Sequence, residues 1–234
     1  MSKQTREEVA FTERQMLAWN LCQEMADQTT ARFDPSHRRL GEYITISREE
    51  GADAGEIAAR VGQKLSWEVL DKKLLDCVAA RYHLSRSMLE LVDETSGNWA
   101  HDILGTWLDS KLIPHDKYVA CLTRVIETAA QRGKVVFVGR GANFLLPRDR
   151  GLAVRLIAAE KYRVAQVMRE RGLSEAEAKR RIAEVEQDRQ GFAQRYFHHD
   201  LTDPHGYDLV ISVSRIGPEV AADEIVEAWR RRNV

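Results

Sequence analysis

Tyr43-Ile44-Thr45-Ile46-Ser47-Arg48-Glu49-Glu50-Gly51-Ala52-Asp53-Ala54-Gly55-Glu56-Ile57 is the stretch whose reading decides the fold. Tyr43–Ser47 is short, apolar and β-branched, and a glycine-containing turn follows it, so it reads as a buried strand entering a loop. Glu56–Leu65 reads as a helix, with Ile57, Val61 and Leu65 at a spacing of four. Small residues between a buried strand and a helix let backbone N–H groups approach and cradle a phosphate. The full pattern GxxxxGK[ST] is absent: no lysine follows the glycine, and no Ser or Thr stands ready for magnesium. On composition alone, a plain strand-to-helix turn is the simpler reading.

Further strands are expected at Trp67–Leu70, Val135–Val138, Leu152–Ala158 and Leu209–Val213. Helices are expected after Asp71, from Glu160, after the capping box Ser174/Glu177, and over Pro218–Arg231. Residues 85–132 read as helical almost throughout, with Gly97 interrupting, Pro114 opening a further helix, and Trp99 and Trp107 two turns apart. Upstream, Thr12 and Gln15 resemble a capping box for a helix to about Asp27, and 29–41 is a linker marked by Pro35 and Gly41. Strands alternating with helices imply parallel pairing through right-handed crossovers. Ligands of such sheets bind beyond the carboxyl ends of the strands, where this chain places Ser47–Gly55 and Gly139–Gly141.

Three groups of residues carry potential chemistry besides the first loop. Arg140, between Gly139 and Gly141 at a strand's end, can fork onto a phosphate, and a surface arginine in a tight turn fits equally well. Arg180, Arg181, Glu184, Glu186, Asp188, Arg189 and Arg195 lie on a charged helix; solvated faces with i,i+4 pairs are the commoner meaning of such patterns. In-line phosphoryl transfer, however, needs arginines to neutralise the migrating group. His198, His199 and His205 fit no zinc spacing and are expected in surface or local structural roles.

The bulk numbers are those of an ordinary globular chain. Its 234 residues are 44% hydrophobic and 30% charged, with a formal net charge of -1, so no global field favours nucleic acid or an anionic membrane. Cys22, Cys77 and Cys121 are odd in number and far apart, which argues against a disulfide framework or zinc ribbon. No apolar run approaches a membrane span, and the charged N-terminus lacks the apolar core of a secretory signal, so a cytoplasmic location is expected.

ITISREEGADAGEIAARVGQKLSWEVLDKKLL, VVFVGRGANFLL, VRLIAAEKYRV, EVEQDRQGFAQRYF and YDLVIS together resemble the cytidylate-kinase-like family of P-loop nucleotide kinases, from about Tyr43 to Trp229. The resemblance implies an α/β fold: a parallel sheet of about five strands with helices on both faces, plus an N-terminal helical extension. It implies a nucleotide-kinase-like domain over 42–234, with a helical insertion at about 85–132 and a lid at about 172–206, preceded by the extension and linker 1–41. It implies ATP with Mg2+ as donor and a nucleoside monophosphate, CMP or dCMP, as acceptor.

Carried over by position, Gly51, Ala52, Asp53, Ala54, Gly55 and Glu56 form the phosphate loop, with Arg48 just before it. Asp71, Arg140, Gly141 and Arg163 fall on the acceptor side. Glu186 and Arg189 match the lid acid and lid arginine, and Arg195 is a second basic candidate. Two departures bear on activity more than on fold. Asp53 and Ala54 stand where the family usually has glycines, and Asp53 would repel polyphosphate unless it points outward or holds magnesium. The Walker lysine falls at Ala54 and the following hydroxyl at Gly55. Arg48 is the nearest source of the missing charge. The alternative is a nucleotide-binding or regulatory protein with impaired catalysis, using 85–132 as a partner or self-association surface.

Overall fold

The computed structural model describes residues 40–72, 75 and 115–232. The expected N-terminal helix and the helical stretch around Trp99 and Trp107, with its surface for association, lie outside the described residues. The chain divides into two compact units. Leu40–Asp71 with Arg132–Val234 holds the whole sheet, and Met1–Arg39 with Lys72–Gln131 is the other.

The strands are β1 (Tyr43–Arg48), β2 (Glu68–Leu70), β3 (Val135–Val138), β4 (Gly151–Ile157) and β5 (Leu209–Ser212), in the order β2-β3-β1-β4-β5 with every neighbouring pair parallel. Among the described residues the α-helices are α1 (Ala54–Leu65), α2 (His115–Arg132), α3 (Ala142–Leu145), α4 (Glu160–Arg171), α5 (Glu175–Phe197) and α6 (Val213–Arg232). This is the expected five-stranded α/β architecture.

Where element ends differ from expectation, local hydrogen bonding decides. Trp67 does not join β2 because Ser66 turns left-handed at the end of α1 and the Trp67 N–H returns to the Gly62 carbonyl at 2.8 Å. Val213 begins α6 instead of ending β5, and Gly217 (φ 80°, ψ 165°) breaks that helix so that Pro218 opens its second segment. The capping box of α5 forms as read: Ser174 Oγ accepts from the Glu177 N–H, and Glu177 accepts from the Ser174 N–H.

β1 is central, and both its faces are buried. Ile44 and Ile46, with Val136, Val138, Val154 and Leu156, pack in one core with Ile57, Ala58 and Val61 of α1 and Ile225, Val226 and Trp229 of α6. Trp229 meets Trp67 edge-on with ring centroids 5.0 Å apart. Tyr43, Thr45, Val135, Phe137 and Ala153, at the alternate positions, are also buried. That is why the strands read as near-continuous apolar runs. In the other unit, α2 has a buried face of Leu122, Val125, Ile126, Ala129 and Ala130, at the spacing of one helical stripe.

A buried polar pair sits on the second face. Arg155 of β4, 5% exposed, donates from Nη1 to Ser47 Oγ at 3.0 Å, directly across the β1–β4 register. The Tyr207 hydroxyl meets the same Ser47 oxygen at 3.2 Å and donates to the Leu201 carbonyl at 3.0 Å.

Asp53 fixes the junction between β1 and α1. It is a non-glycine residue in the left-handed region (φ 49°), and its buried carboxylate reaches α4. The Tyr162 hydroxyl donates to Oδ2 at 2.6 Å, and the Gln166 amide donates to Oδ1. Bonds to a charged acceptor offset the backbone strain. The Tyr162 hydroxyl is pushed up to about 12, first by burial and then by its bond to Asp53, and burial likewise holds Tyr43 at about 12.

Both folded-state values exceed the ordinary 10.0, so this stability is fully present below about pH 10 and is lost as pH rises through about 12. Tyr162→Phe is expected to cost about 1–3 kcal/mol in urea unfolding at neutral pH. Its stability should also fall less steeply between pH 10 and 12 than the wild type's, the remainder coming from Tyr43. An unchanged alkaline slope would remove Tyr162 from this role.

Candidate active site

The first loop is shaped by what crowds it. Beyond β1, the Glu49 N–H extends the pairing to the Leu156 carbonyl at 3.0 Å, and a turn closes from the Ala52 N–H to the Glu49 carbonyl at 3.4 Å. Gly51 has φ +82°, and a Cβ there would lie 2.6 Å from the Arg163 carbonyl oxygen, so only glycine lets the loop rest against the start of α4. The first amides of α1 then point past the helix end without intrahelical acceptors. Ala52, Asp53 and Ala54 are buried, with Ala52 and Ala54 in the core. Gly55 and Glu56 are exposed, and Glu56 pairs with Arg60 at 2.8 Å.

The second loop lies beside the first because β3 pairs with β1; the Gly139 N–H donates to the Ile46 carbonyl at 3.0 Å. Gly139, Arg140 and Gly141 are three successive left-handed residues (φ 78°, 56° and 69°). The Arg48 guanidinium lies where a Cβ at Gly139 would sit, and the Phe197 ring where one at Gly141 would sit. Arg48 therefore spans the two loops. The Arg140 guanidinium carbon is 5.8 Å from the centre of the Phe192 ring.

Helix α5 supplies the third side. Arg189 donates from Nη1 to the Arg48 carbonyl at 3.2 Å and to Glu186 Oε1 at 3.3 Å, and from Nη2 to Glu50 Oε2 at 2.5 Å. Glu186 Oε1 also accepts the Glu50 N–H at 2.5 Å, placing a carboxylate oxygen on a loop amide. Arg163 brings Nε to 3.5 Å from Glu49 Oε2 and Nη1 to 4.0 Å from Glu186 Oε1, while Glu49 Oε2 accepts the Ala158 N–H at 2.9 Å. Arg163 Nε and Nη1 are nonetheless buried without a hydrogen-bond acceptor.

Three guanidinium groups (Arg48, Arg163, Arg189) thus gather with three carboxylates (Glu49, Glu50, Glu186), with Arg140 on the adjoining loop. Arg48 is pulled down to about 10, first by burial and then by the neighbouring Arg189 charge, with Glu50 opposing and Arg140 adding to the depression.

Among the residues expected from sequence, Arg48, Gly51, Arg163, Glu186 and Arg189 meet in one place, with Arg140 and Gly141 on the adjoining loop. Asp71 follows β2, on the far side of β3 from β1, and is half-buried. Arg195 is exposed in the last turn of α5 and pairs with no carboxylate among the described residues. Asp53, expected as a magnesium ligand, has both oxygens engaged by α4, and no group of three His, Cys, Asp or Glu able to hold a metal occurs among the described residues.

Glu49 and Glu50 escaped the sequence reading, although two acids between Arg48 and a glycine are natural partners for arginines arriving from elsewhere. Phe144 and Phe192 left no signal beyond being apolar. Arg155 sits in an apolar strand, and that anomaly was readable.

A curated uronate isomerase of Corynebacterium glutamicum is 30% identical to this chain over 216 residues, which is 87% of this chain and 41% of that protein. The chain thus spans about two fifths of that relative's length. An uncharacterized protein from Eubacterium ventriosum has a similar fold, at a TM-score of 0.62 and 18% identity, covering 81% of this chain and 98% of that one. A shikimate kinase from Acinetobacter baumannii in complex with shikimate aligns at a TM-score of 0.48 and 12% identity, covering 84% and 97%. The family model described as the cytidylate kinase-like family matches residues 43–215, so the parallel sheet, the two glycine loops and the arginine-bearing helix are those of a chain that belongs to the cytidylate kinase-like family.

Proposed function

We propose that this chain transfers the terminal phosphoryl group of ATP to a nucleoside monophosphate, CMP or dCMP. The observation that carries the reading is the convergence of Arg48, Arg163 and Arg189 on the glycine-bearing first loop, with two Arg163 nitrogens buried and unaccepted. Buried guanidinium nitrogens without acceptors are costly in the ligand-free protein and gain partners when an anion of several charges arrives. Family membership supports a nucleotide as that anion.

The roles follow from position. The backbone of Gly51, Ala52, Asp53, Ala54, Gly55 and Glu56 receives the donor phosphates. Arg48, spanning both loops, supplies the charge that a Walker lysine gives elsewhere. Arg140 and Gly141 take the acceptor phosphate, with Arg163 between the two phosphates and Asp71 at the opening of the acceptor side. Arg189 covers the migrating group, and Arg195 joins from the end of the lid. Catalysis is then positioning and charge stabilisation in a site that excludes water. Magnesium, when bound with the donor, would supply further neutralisation. Asp53 is not assigned to it, because its oxygens serve α4.

One observation favours a second reading, nucleotide binding without catalysis: the lysine position is Ala54, 7% exposed and packed in the core. A panel of nucleoside monophosphates with ATP and magnesium decides between them. Diphosphate product is expected with a pyrimidine monophosphate. Arg189→Ala should lower kcat on the order of 10²-fold while changing ATP affinity little. ATP binding with no diphosphate from any acceptor would establish the binding-only reading.

In the ligand-free protein, Glu50 and Glu186 hold the groups that phosphates would take. Glu50→Gln is therefore expected to tighten ATP binding severalfold at low ionic strength in calorimetric titration. The gain should shrink as salt screens the exposed part of the site. Equal affinity of the variant and wild type at low salt would show that Glu50 does not compete with the nucleotide.

A further inference from the structure

An aromatic chain leads away from Arg140 that phosphate chemistry does not use. Phe192 lies under the Arg140 guanidinium, and Phe197 lies 5.6 Å from Phe192 and against Gly141. Phe144 of α3, four residues after Arg140, is 5.6 Å from Phe197. On Phe144 rests the imidazole of His199, parallel within 8° and 4.7 Å away. His199 is exposed and lies beyond the end of α5, after His198 turns left-handed (φ 56°) as its cap. The side chain covering Phe144 is thus a flat nitrogen heterocycle held by an irregular segment.

We propose that Phe144 is the stacking platform for the base of the acceptor, and that His199 occupies this platform until a nucleobase replaces it. The inference rests on the nucleoside monophosphate reading above and adds where the base goes. The ligand it takes is a planar heteroaromatic ring carrying a phosphate that reaches Arg140. The pairing is physically reasonable because every base has a π-face, and stacking on an aromatic side chain is tolerant of which base it is. An exposed imidazole on an irregular segment is a weaker competitor than a larger ring already anchored through its phosphate.

The test compares CMP with ribose 5-phosphate, which keeps the phosphate and sugar but has no base, by calorimetric titration in the presence of a non-hydrolysable ATP analogue. The wild type should bind CMP at least about tenfold more tightly than ribose 5-phosphate. Phe144→Leu should abolish that difference, Phe144→Tyr should keep it, and His199→Ala should leave CMP binding unchanged or tighter. In the unmutated protein, the ring protons of His199, shielded by Phe144, should shift downfield in NMR spectra on adding CMP but not ribose 5-phosphate. That readout is independent of whether any variant folds. If CMP and ribose 5-phosphate bind the wild type equally, or if His199→Ala weakens CMP as much as Phe144→Leu does, the platform is elsewhere and the phosphate reading stands. If neither ligand binds, the acceptor reading itself fails.

Discussion

Arg48, Arg163 and Arg189 converge on the first loop from three different elements, and arginines brought together repel one another unless carboxylates stand among them. The Arg189 side chain resolves this conflict. Its guanidinium bonds the carbonyl of Arg48, the carboxylate of Glu186 on its own helix and the carboxylate of Glu50 on the loop. Helix α5 is thereby tied to the loop through partners of opposite sign. The hydrogen bonding is incomplete, since two Arg163 nitrogens stay buried without an acceptor. An arginine is suited to this work in a way lysine is not, because its planar fork serves several oxygens at once and keeps its charge when buried.

The same junction explains the aspartate at the end of the first loop. Asp53 stands in a family glycine position because its backbone is left-handed, a conformation that aspartate tolerates better than most residues. Its charge is turned away from the loop by Tyr162 and Gln166, both on the helix whose first turn also supplies Arg163. One residue thus sets the entry of α1, ties α4 to it and keeps its carboxylate on α4. The glycine that the loop retains, Gly51, is the one pressed against the Arg163 backbone, where no side chain fits.

Gly139, Arg140 and Gly141 form a second crowded turn, with Arg48 on one side and Phe197 on the other. Two glycines are required because both flanking positions are occupied by side chains from distant elements. The arginine between them is left facing Phe192 of α5. The two loops therefore share α5 as a common wall: its charged positions meet the first loop and its aromatic positions meet the second. The mixed pattern of Glu175–Phe197, which reads as a solvated charged helix, is the consequence of one helix serving two chemistries.

The order of strands and helices, the apolar strands, the capping box at Ser174 and the two glycine loops were legible in the sequence. Each depends on residues close in the chain: β-branched runs, small residues at a turn, a hydroxyl three positions before an acid. The arginines of the site were legible only as candidates carried by family resemblance, because a charged side chain reads the same whether it faces water or a phosphate. Tertiary structure decided that Arg48 spans both loops, that Glu49 and Glu50 partner arginines more than 100 residues away, that Asp53 serves α4, and that His199 rests on Phe144. These are contacts between groups whose spacing along the chain carries no period. Only the pairing of β1 with β3 and β4, and the placement of α4 and α5 beyond their carboxyl ends, brings them within reach.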